Sequence, residues 1–377
     1  VDDPANPAMT IALTGNPMVT AAEALKLEPF CLSCHDSNGA GGSPPFANGI
    51  MPVPVDATAW SGASHRVASL TCMGDGETFG CHSTGHGSLK RTLLAPATAA
   101  QPPVSGDPLR EEEGMCYSCH DANGPATTNI QSMFARLTHH KVSSLEQVDG
   151  SKVECRNCHD PHKASVTSPL IDPDTGGVWT AGGPAFCLAC HDGAPPADVS
   201  FPATSPGTGF NKSAFVGTTH ATQLGGNTCR HCHEDHGSAY TGMLFGQYVV
   251  TDNNSYAAAD YAACWVCHSA ASIVNGNNRF ADFHQKHVNG ERSPCIICHD
   301  THRPFDAGEP GLINFALAAR SGNYDFQFVS GRNESTAFYF GNNNTQGFCL
   351  LQCHGENHLP KNYTRGASPA EDCSACH

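Results

Sequence analysis

The sequence predicts a mostly irregular fold with short α-helices and little β-structure. Among its 377 residues are 38 Gly and 26 Pro, which interrupt regular elements. The chain also contains 20 Cys and 22 His, far more than a conventional apolar-core globule of 39% hydrophobic residues needs. We therefore expect the fold to be organised around groups that Cys and His bind.

Charge and hydropathy limit the possible environments of the chain. The net charge of -15 argues against binding to nucleic acid or to an anionic membrane surface. No apolar run approaches the 18 or more residues of a membrane span, so no transmembrane segment is expected. Residues 1–4 lack the features of a signal peptide, and the first Cys is Cys31. We interpret the chain as a mature, exported protein without a direct lipid anchor.

All 20 Cys fall into pairs whose second member is followed at once by His. Two pairs have unusual spacing, with eight intervening residues in Cys72-Cys81-His82 and three in Cys349-Cys353-His354. Eight pairs have the spacing CxxCH: Cys31-Cys34-His35, Cys116-Cys119-His120, Cys155-Cys158-His159, Cys187-Cys190-His191, Cys229-Cys232-His233, Cys264-Cys267-His268, Cys295-Cys298-His299 and Cys373-Cys376-His377.

CxxCH is the attachment signature of c-type haem. The two thiols add to the vinyl groups at one edge of the porphyrin, and the adjacent His becomes the proximal ligand of the iron. A single motif could instead be a zinc half-site or a redox dithiol, and each irregular pair could be a disulfide followed by a chance His. Because the pattern recurs with no Cys left over, we predict ten covalently attached haem c groups.

Two motif types alternate along the chain with a period of about 75 residues. The first type has a hydrophobic lead-in, as in Phe30-CLSCH. The second type has a His upstream and, in four of five cases, another just downstream, as in His159-Asp-Pro-His162. This alternation predicts five tandem dihaem units organised around a continuous haem chain, with approximate bounds 1–105, 106–180, 181–255, 256–320 and 321–377.

Twelve His remain as possible distal ligands, and the repeat selects nine positions among them. The tenth could come from using both members of an adjacent pair, which we favour, or from another molecule. His231, inside the CRHCH loop, is expected to be exposed or hydrogen-bonded instead. The candidates upstream of second-type motifs are His65, His139 or His140, His220, His284 or His287, and His358; those downstream are His86, His162, His236 and His302.

Bis-His coordination is favoured over Met coordination, because none of the seven Met recurs at a fixed offset from the motifs. An all-His set predicts comparatively low haem potentials. With about 38 residues per haem, the haems must act as the core, and the chain without haem should be largely unfolded. Short helices are predicted at 21–27, 131–140, 256–268 and 279–287, and a hairpin from strands at 324–328 and 337–340.

From residue 31 to 377 the motifs resemble those of the multihaem c-type cytochromes of dissimilatory metal-reducing bacteria, including a CHDPH element at 158–162. The resemblance implies closely packed haems that exchange electrons by hopping. An electron-transfer protein, not an enzyme, is expected. A multihaem reductase would need an open iron site, which no motif marks, because all ten motifs end in His and enough other His exist to close each iron.

Two settings fit an electron carrier of this kind. The first is an extracellular or cell-surface cytochrome that self-associates into a filament, a cytochrome nanowire, taking electrons from donors in the cell envelope to minerals, electrodes or other cells. A distal ligand could then be donated across the subunit boundary, as in similar filament cytochromes. The second is a monomeric conduit, periplasmic or embedded in an outer-membrane porin. We favour the filament because the distal ligands are barely sufficient in number.

Overall fold

A computed structural model describes residues 12–35, 54–82, 112–201, 215–224, 228–275 and 284–302, apart from short internal gaps, and the backbone of strands within 2–10 and 326–364. The chain divides into two compact units. The first comprises Val1–Thr208 with Asp235–Gly237, and the second comprises Gly209–Glu234 with Ser238–His377. The prediction of a mostly irregular chain with short helices and little β-structure is confirmed for the described residues.

The helices are short, and the longest described one has nine residues. In chain order they are α1 (Ala21–Lys26), α2 (Glu28–His35), α3 (Ala57–Gly62), α4 (Ser64–Val67), α5 (Glu112–His120), α6 (Gln131–Phe134), α7 (Ala185–His191), α8 (Thr219–Gln223), α9 (Ala262–Trp265) and α10 (Ala270–Val274). Single 3-10 turns occur at Gln147–Asp149, Cys155–Asn157, Thr228–His231, Thr241–Met243, Ala258–Tyr261 and Cys295–Ile297, and a π-helical turn at Gln285–Gly290.

The helix predictions hold best where a local cap defines the start. Helix α1 lies within the predicted 21–27, and the Thr20 side chain accepts a hydrogen bond from the Glu23 N–H at its N-terminus. The segment predicted as a helix at 131–140 is helical only over α6. Its end turns into a two-residue strand that pairs with the strand beginning at Gly237, so a long-range backbone contact overrides local helix propensity.

Of the other two helix predictions, the one at 256–268 is wrong in extent, and residues 279–283 of the one at 279–287 lie outside the described residues. Residues 256–268 form a 3-10 turn followed by the four-residue α9, because the haem-attachment motif begins within α9 and continues beyond it. Of the helix predicted at 279–287, the structure describes residues 284–287, which enter the π-helical turn Gln285–Gly290.

Twelve short strands are described, and most form two- or three-stranded sheets. They are β1 (Asp2–Asp3), β2 (Asn6–Thr10), β3 (Thr71–Met73), β4 (Gly80–His82), β5 (Thr138–His139), β6 (Gly237–Ser238), β7 (Phe326–Phe328), β8 (Phe338–Phe340), β9 (Gln346–Cys349), β10 (Leu351–Cys353), β11 (Glu356–Asn357) and β12 (Lys361–Thr364).

The predicted hairpin is wrong in its pairing, although both of its strands exist. Strand β7 pairs antiparallel with β10, whereas β8 pairs antiparallel with β9, so the two lie in separate sheets. Tight hairpins favour connections of about two to five residues. The stretch between β7 and β8 is longer than that, whereas the shorter stretch after β8 lets β9 pair with it.

Buried apolar side chains come singly or in pairs from many short elements. Helix α3 contributes Trp60, α7 contributes Leu188 and Ala189, and α10 contributes Val274. No described helix has the length to lay a wide apolar stripe against a neighbour. The described residues therefore supply small apolar clusters beside the Cys and His motifs.

Candidate haem-binding sites

First-type motifs lie at the C-terminal turn of an α-helix. Helices α2, α5 and α7 each end at the His of their motif, namely His35, His120 and His191. Residues three and four apart share one helix face, about 5–6 Å between Cβ atoms. The helix thus presents both thiols and the His on one side, as attachment to a porphyrin edge requires. In the fourth repeat, α9 begins the motif and carries Cys264.

Second-type motifs use a tighter backbone. Cys155, Cys229 and Cys295 each lie on a 3-10 turn. In each, the backbone N–H of the motif His donates to the carbonyl of the first Cys at 2.9 Å. Three second-type motifs therefore begin on a 3-10 turn, whereas three first-type motifs end an α-helix.

The widely spaced pair Cys72 and Cys81 is brought together by a closed loop. The two Cys occupy equivalent positions on the parallel strands β3 and β4, whose register pairs Thr71 with Gly80 and Met73 with His82. Neighbouring strands lie about 4.8 Å apart, close to the spacing that a helical turn gives two Cys. The eight intervening residues are thereby looped out, and the two thiols occupy positions comparable to those of a regular motif.

Glycines permit this loop to close. A Cβ at Gly74 would lie 2.4 Å from the Gly80 Cα, and one at Gly80 would lie 2.1 Å from the Met73 carbonyl oxygen. Within the loop, the Asp75 carboxylate accepts a hydrogen bond from the Thr78 N–H at 2.8 Å. These glycines were not predicted as functional residues. A Gly near each end of a long Cys-to-Cys insertion is nevertheless a sequence signal for a closed loop.

We expect Gly74→Ala to lose about one haem, because the new methyl group would collide with backbone that cannot move without separating β3 and β4. Intact mass spectrometry of the purified protein measures the haem number directly. Gly62→Ala is the matched control, since a Cβ there meets nothing within 4 Å. Full haem occupancy in Gly74→Ala would show that the strand pair is not needed to present Cys72 and Cys81.

In the first compact unit, the leading Cys of a first-type motif touches the leading Cys of the second-type motif that follows it. Cys31 and Cys72 share a side-chain hydrogen bond, as do Cys116 and Cys155. The hydrogen bond with Cys116, and then burial, raise the pKa of the Cys155 thiol well above its usual range. Two porphyrins attached at these residues would therefore have adjacent edges.

Successive repeats also approach each other through their Cys. Burial and then the thiols of Cys116 and Cys119 raise the pKa of Cys81 to about 11. Burial and then the thiol of Cys190 raise the pKa of Cys158 to about 12. Attachment positions in this unit thus form an uninterrupted series in chain order.

The second compact unit shows the same arrangement. Burial and then the Cys232 thiol raise the pKa of Cys264 to about 11, and burial with the Cys264 thiol raises that of Cys295 to about 12. Burial and then Cys267 raise the pKa of Cys232. The motif at Cys229 therefore lies beside the motif at Cys264, which in turn lies beside the motif at Cys295.

Seven pairs of His rings face each other in the described residues, with centroids 5.8–6.2 Å apart. Two metal–imidazole bonds of about 2 Å, plus about 1 Å from each nitrogen to its ring centre, span about 6 Å. The spacing therefore fits one iron between each pair. The pairs are His65–His120, His82–His162, His140–His191, His159–His236, His220–His268, His233–His302 and His284–His299.

Each pair joins one motif His to one of the candidate distal His, and six of them link consecutive repeats. A second-type motif His faces the downstream His of the following repeat, as His82 faces His162. A first-type motif His faces the upstream His of the preceding repeat, as His120 faces His65. The exception is His284 with His299, both in the fourth repeat.

Hydrogen bonds at Nδ1 leave Nε2 to face the partner ring. The Nδ1 of His159 lies 2.8 Å from the Pro169 carbonyl oxygen, and that of His233 lies 2.8 Å from the Gly242 carbonyl oxygen. A carbonyl oxygen can only accept, so each Nδ1 carries the proton and Nε2 keeps its lone pair. This is the tautomer that a metal-bound imidazole requires, and its acceptors are invisible in the sequence.

The structure distinguishes His139 from His140. His140 faces His191, and its Nδ1 donates to the Asp235 carbonyl oxygen at 2.8 Å. Both ring nitrogens of His139 are engaged instead, with the Arg136 carbonyl oxygen at 2.9 Å and the Glu146 carboxylate at 2.8 Å. Of this adjacent pair, His140 is therefore the one placed for ligation.

The other candidate residues lie on several different elements or outside the described residues. His231 is exposed, and His287 lies in the π-helical turn after His284. The motif His35 ends α2. The strands β9 and β10 include Cys349 and Cys353, of which only the backbone is described. His86, His354, His358, Cys373, Cys376 and His377 lie outside the described residues.

Electrostatics favour neutral imidazoles at several pairs. Burial is the largest cause of the lowered pKa of His65, His120, His140 and His220, and at least one neighbouring imidazole lowers each of these pKa values further. Neutral imidazole is the form that binds iron.

Within the described residues, no group of three or more His, Cys, Asp or Glu could hold a metal ion alone. No helix in this part of the chain is long and apolar enough to cross a bilayer.

Known proteins support this assignment of the motifs. Residues 148–195 and 220–272 match the doubled CXXCH motif family. The match indicates a multihaem c-type cytochrome. It covers the motifs at Cys155, Cys187, Cys229 and Cys264, and thus one motif pair in each segment. No curated protein and no solved structure matches the chain.

Proposed function

We propose that this protein is a decahaem c-type cytochrome that carries electrons by hopping along closely packed bis-His haems. The observation that carries the proposal is the set of seven facing His pairs, each with one motif His and centroids 5.8–6.2 Å apart. Chance contacts between His rings would not select one motif His every time. Together with the motifs of His35, His354 and His377, which carry the same Cys and His, the chain would hold ten haems.

The Cys pairs and the facing His would hold each haem, whose iron supplies one-electron oxidation and reduction. The chain's own part is to fix position and access. Backbone carbonyls such as those of Pro169 and Gly242 hold the His tautomer, which keeps the ligand rings oriented. With two axial His, an iron offers no open position for a substrate, so we propose an electron carrier rather than an enzyme.

Adjacent Cys support short distances between successive haems. The contact between Cys116 and Cys155 joins the two motifs of one repeat, and the proximity of Cys158 to Cys190 joins one repeat to the next. Porphyrin edges held this close to one another would favour multistep electron transfer. We propose five dihaem repeats on this basis, with the repeat bounds predicted from the sequence.

Pairs formed between the His of consecutive repeats support self-association into a filament. In the described pairs, the second and third repeats each give one His to the repeat before and one to the repeat after, so the arrangement can be continued by another copy of the chain. Head-to-tail contacts of this kind generate open filaments. We propose an extracellular or cell-surface filament that accepts electrons from envelope donors and delivers them to minerals, electrodes or other cells.

Negative-stain electron microscopy of the haem-loaded protein sheared from cells, together with its intact mass, tests this proposal. We expect uniform fibres and a mass that corresponds to ten haems per chain. Discrete particles with ten haems would support the monomeric conduit, periplasmic or porin-embedded, and overturn the filament. A haem number below ten would overturn the assignment of the motif that lacks its haem.

A further inference from the structure

Trp60 is a buried side chain with an unused hydrogen-bond donor. The residue lies on α3 and is 5% exposed. Its indole Nε1 is fully buried and has no hydrogen-bond partner among the residues that the structure describes. A buried indole N–H usually has an acceptor, because leaving it unpaired forfeits the hydrogen bond it made with water. The site therefore calls for an acceptor that the described residues do not supply.

The ring of Trp60 packs against one of the facing His pairs. Its centroid lies 5.9 Å from that of His162 in an edge-on arrangement, and His162 in turn faces His82 at 6.2 Å. The Ser64 N–H, at the start of α4, donates to the Ala164 carbonyl oxygen at 2.9 Å. This contact holds the end of α3 beside the loop that carries His162.

The chemistry of the missing acceptor follows from this position. A haem held between His82 and His162 has its four porphyrin nitrogens bound to iron, so its propionate carboxylates are its hydrogen-bond acceptors. An ionised carboxylate in a buried site needs donors to replace water. Trp60 is a donor in such a site, with no acceptor of its own.

We propose that the indole N–H of Trp60 donates a hydrogen bond to a propionate of the haem attached at Cys72 and Cys81. This inference rests on the proposed function, because it requires a haem at that motif. Trp60 is a positioning residue here, since it contacts the haem carboxylate and the ligand ring but not the iron. It fixes the propionate and screens its charge from the iron.

The second compact unit contains two further aromatic donors of the same kind. Both the Trp265 Nε1 and the Tyr256 hydroxyl are buried atoms without a hydrogen-bond partner in the described part of the chain. Trp265 lies inside the motif between Cys264 and Cys267, and Tyr256 stacks on Tyr261 at 6.0 Å. Unpaired aromatic donors thus recur beside haem-attachment motifs.

Ultraviolet resonance Raman spectroscopy of the holoprotein tests the Trp60 hydrogen bond. Of the three Trp in the chain, Trp179 is the matched control, because it packs edge-on against an aromatic ring as well, that of Phe186 at 5.5 Å. We expect Trp60→Phe to remove an indole band typical of a strong N–H hydrogen bond to a carboxylate. It should also change the carboxylate stretch in the infrared difference spectrum and shift one component of the redox titration to lower potential.

Trp179→Phe should leave the carboxylate stretch and the potential unchanged. A Trp60 band typical of a free indole, or of one bonded to water, would overturn the inference, and so would an unchanged carboxylate stretch in Trp60→Phe. If Trp60→Phe holds less haem, a second variant replaces it in the test. The double variant Trp179→Phe, Trp265→Phe leaves Trp60 as the sole tryptophan. The position of its indole band then shows whether the Trp60 N–H is hydrogen-bonded to a carboxylate.

The haem count separates this inference from the proposed function. A wild-type mass that lacks the haem of Cys72 and Cys81 would refute the proposed function at this motif. A complete mass combined with a free Trp60 indole would refute only the hydrogen bond.

Discussion

Replacing His162 by Ala is expected to convert one haem from low-spin bis-His to high-spin coordination, about one tenth of the total haem. His162 faces His82 at 6.2 Å, and its Nδ1 lies 3.3 Å from the Asp160 carboxylate, which orients the ring. Without this ring the iron keeps only the ligand from its own motif. Electron paramagnetic resonance and the high-spin band of the ferric spectrum measure the fraction, and mass spectrometry should still count every haem.

His231→Ala is the matched control, because His231 is an exposed His beside a motif and stands outside the described pairs. Its spectrum should remain entirely low-spin. His162 and His82 belong to consecutive repeats. The informative measurement is therefore which of the two repeats contains the haem that becomes high-spin. The haem of Cys72 and Cys81 could stay low-spin in His162→Ala while the haem of Cys155 and Cys158 becomes high-spin. That result would refute the claim that a His of one repeat ligates the haem of another.

Production of the chain without haem attachment is expected to abolish the fold. In the described residues the buried apolar side chains are few and scattered, and no described helix exceeds nine residues. Helices this short are unstable alone, so the covalent haems and their iron ligands must supply the stability. Far-ultraviolet circular dichroism should show little helix, limited proteolysis should cleave throughout, and heating should give no cooperative transition.

The same chain produced with haem maturation is the control, and it should resist protease over residues 112–201. A second comparison uses a variant that lacks a single attachment site, such as Cys116→Ser with Cys119→Ser, which should lose order locally. Apoprotein that unfolds cooperatively on heating would contradict the view that haems act as the core.

Covalent chemistry made part of the site predictable from sequence. Attachment needs two thiols and a His within a few residues, so the motifs and their two types could be read directly. Even the long insertion between Cys72 and Cys81 was assigned by its place in the repeat. How that insertion works could not be read, because it depends on β3 pairing with β4 and on the close approach of Gly74 to Gly80.

The His rings that face the motif His all belong to the candidate set predicted from the sequence, but their pairing could not be predicted. The partner of His159 is His236, and the stretch between them contains a complete first-type motif and most of a second-type one. Nothing local links the two rings. The choice of His140 over His139 likewise depends on which nitrogens find acceptors, namely Asp235 for one and Glu146 for the other.

The predicted hairpin failed for a related reason. The apolar alternation of β7 and β8 was sufficient to place both strands, but strand pairing is a competition among neighbours. Strands β9 and β10 lie later in the sequence and pair with β8 and β7, respectively. A pattern confined to one segment carries no information about such competitors.

Reciprocal ligation between repeats also bears on how such a chain could have grown. If the third repeat were deleted whole, His302 would remain to face His159 and His140 to face His268, so each remaining His of the described pairs would again have a partner. Loss of half a repeat would leave rings unmatched. Gene duplications and deletions in units of one repeat would therefore preserve coordination, and lineages could lengthen or shorten the conduit without inventing a new ligand.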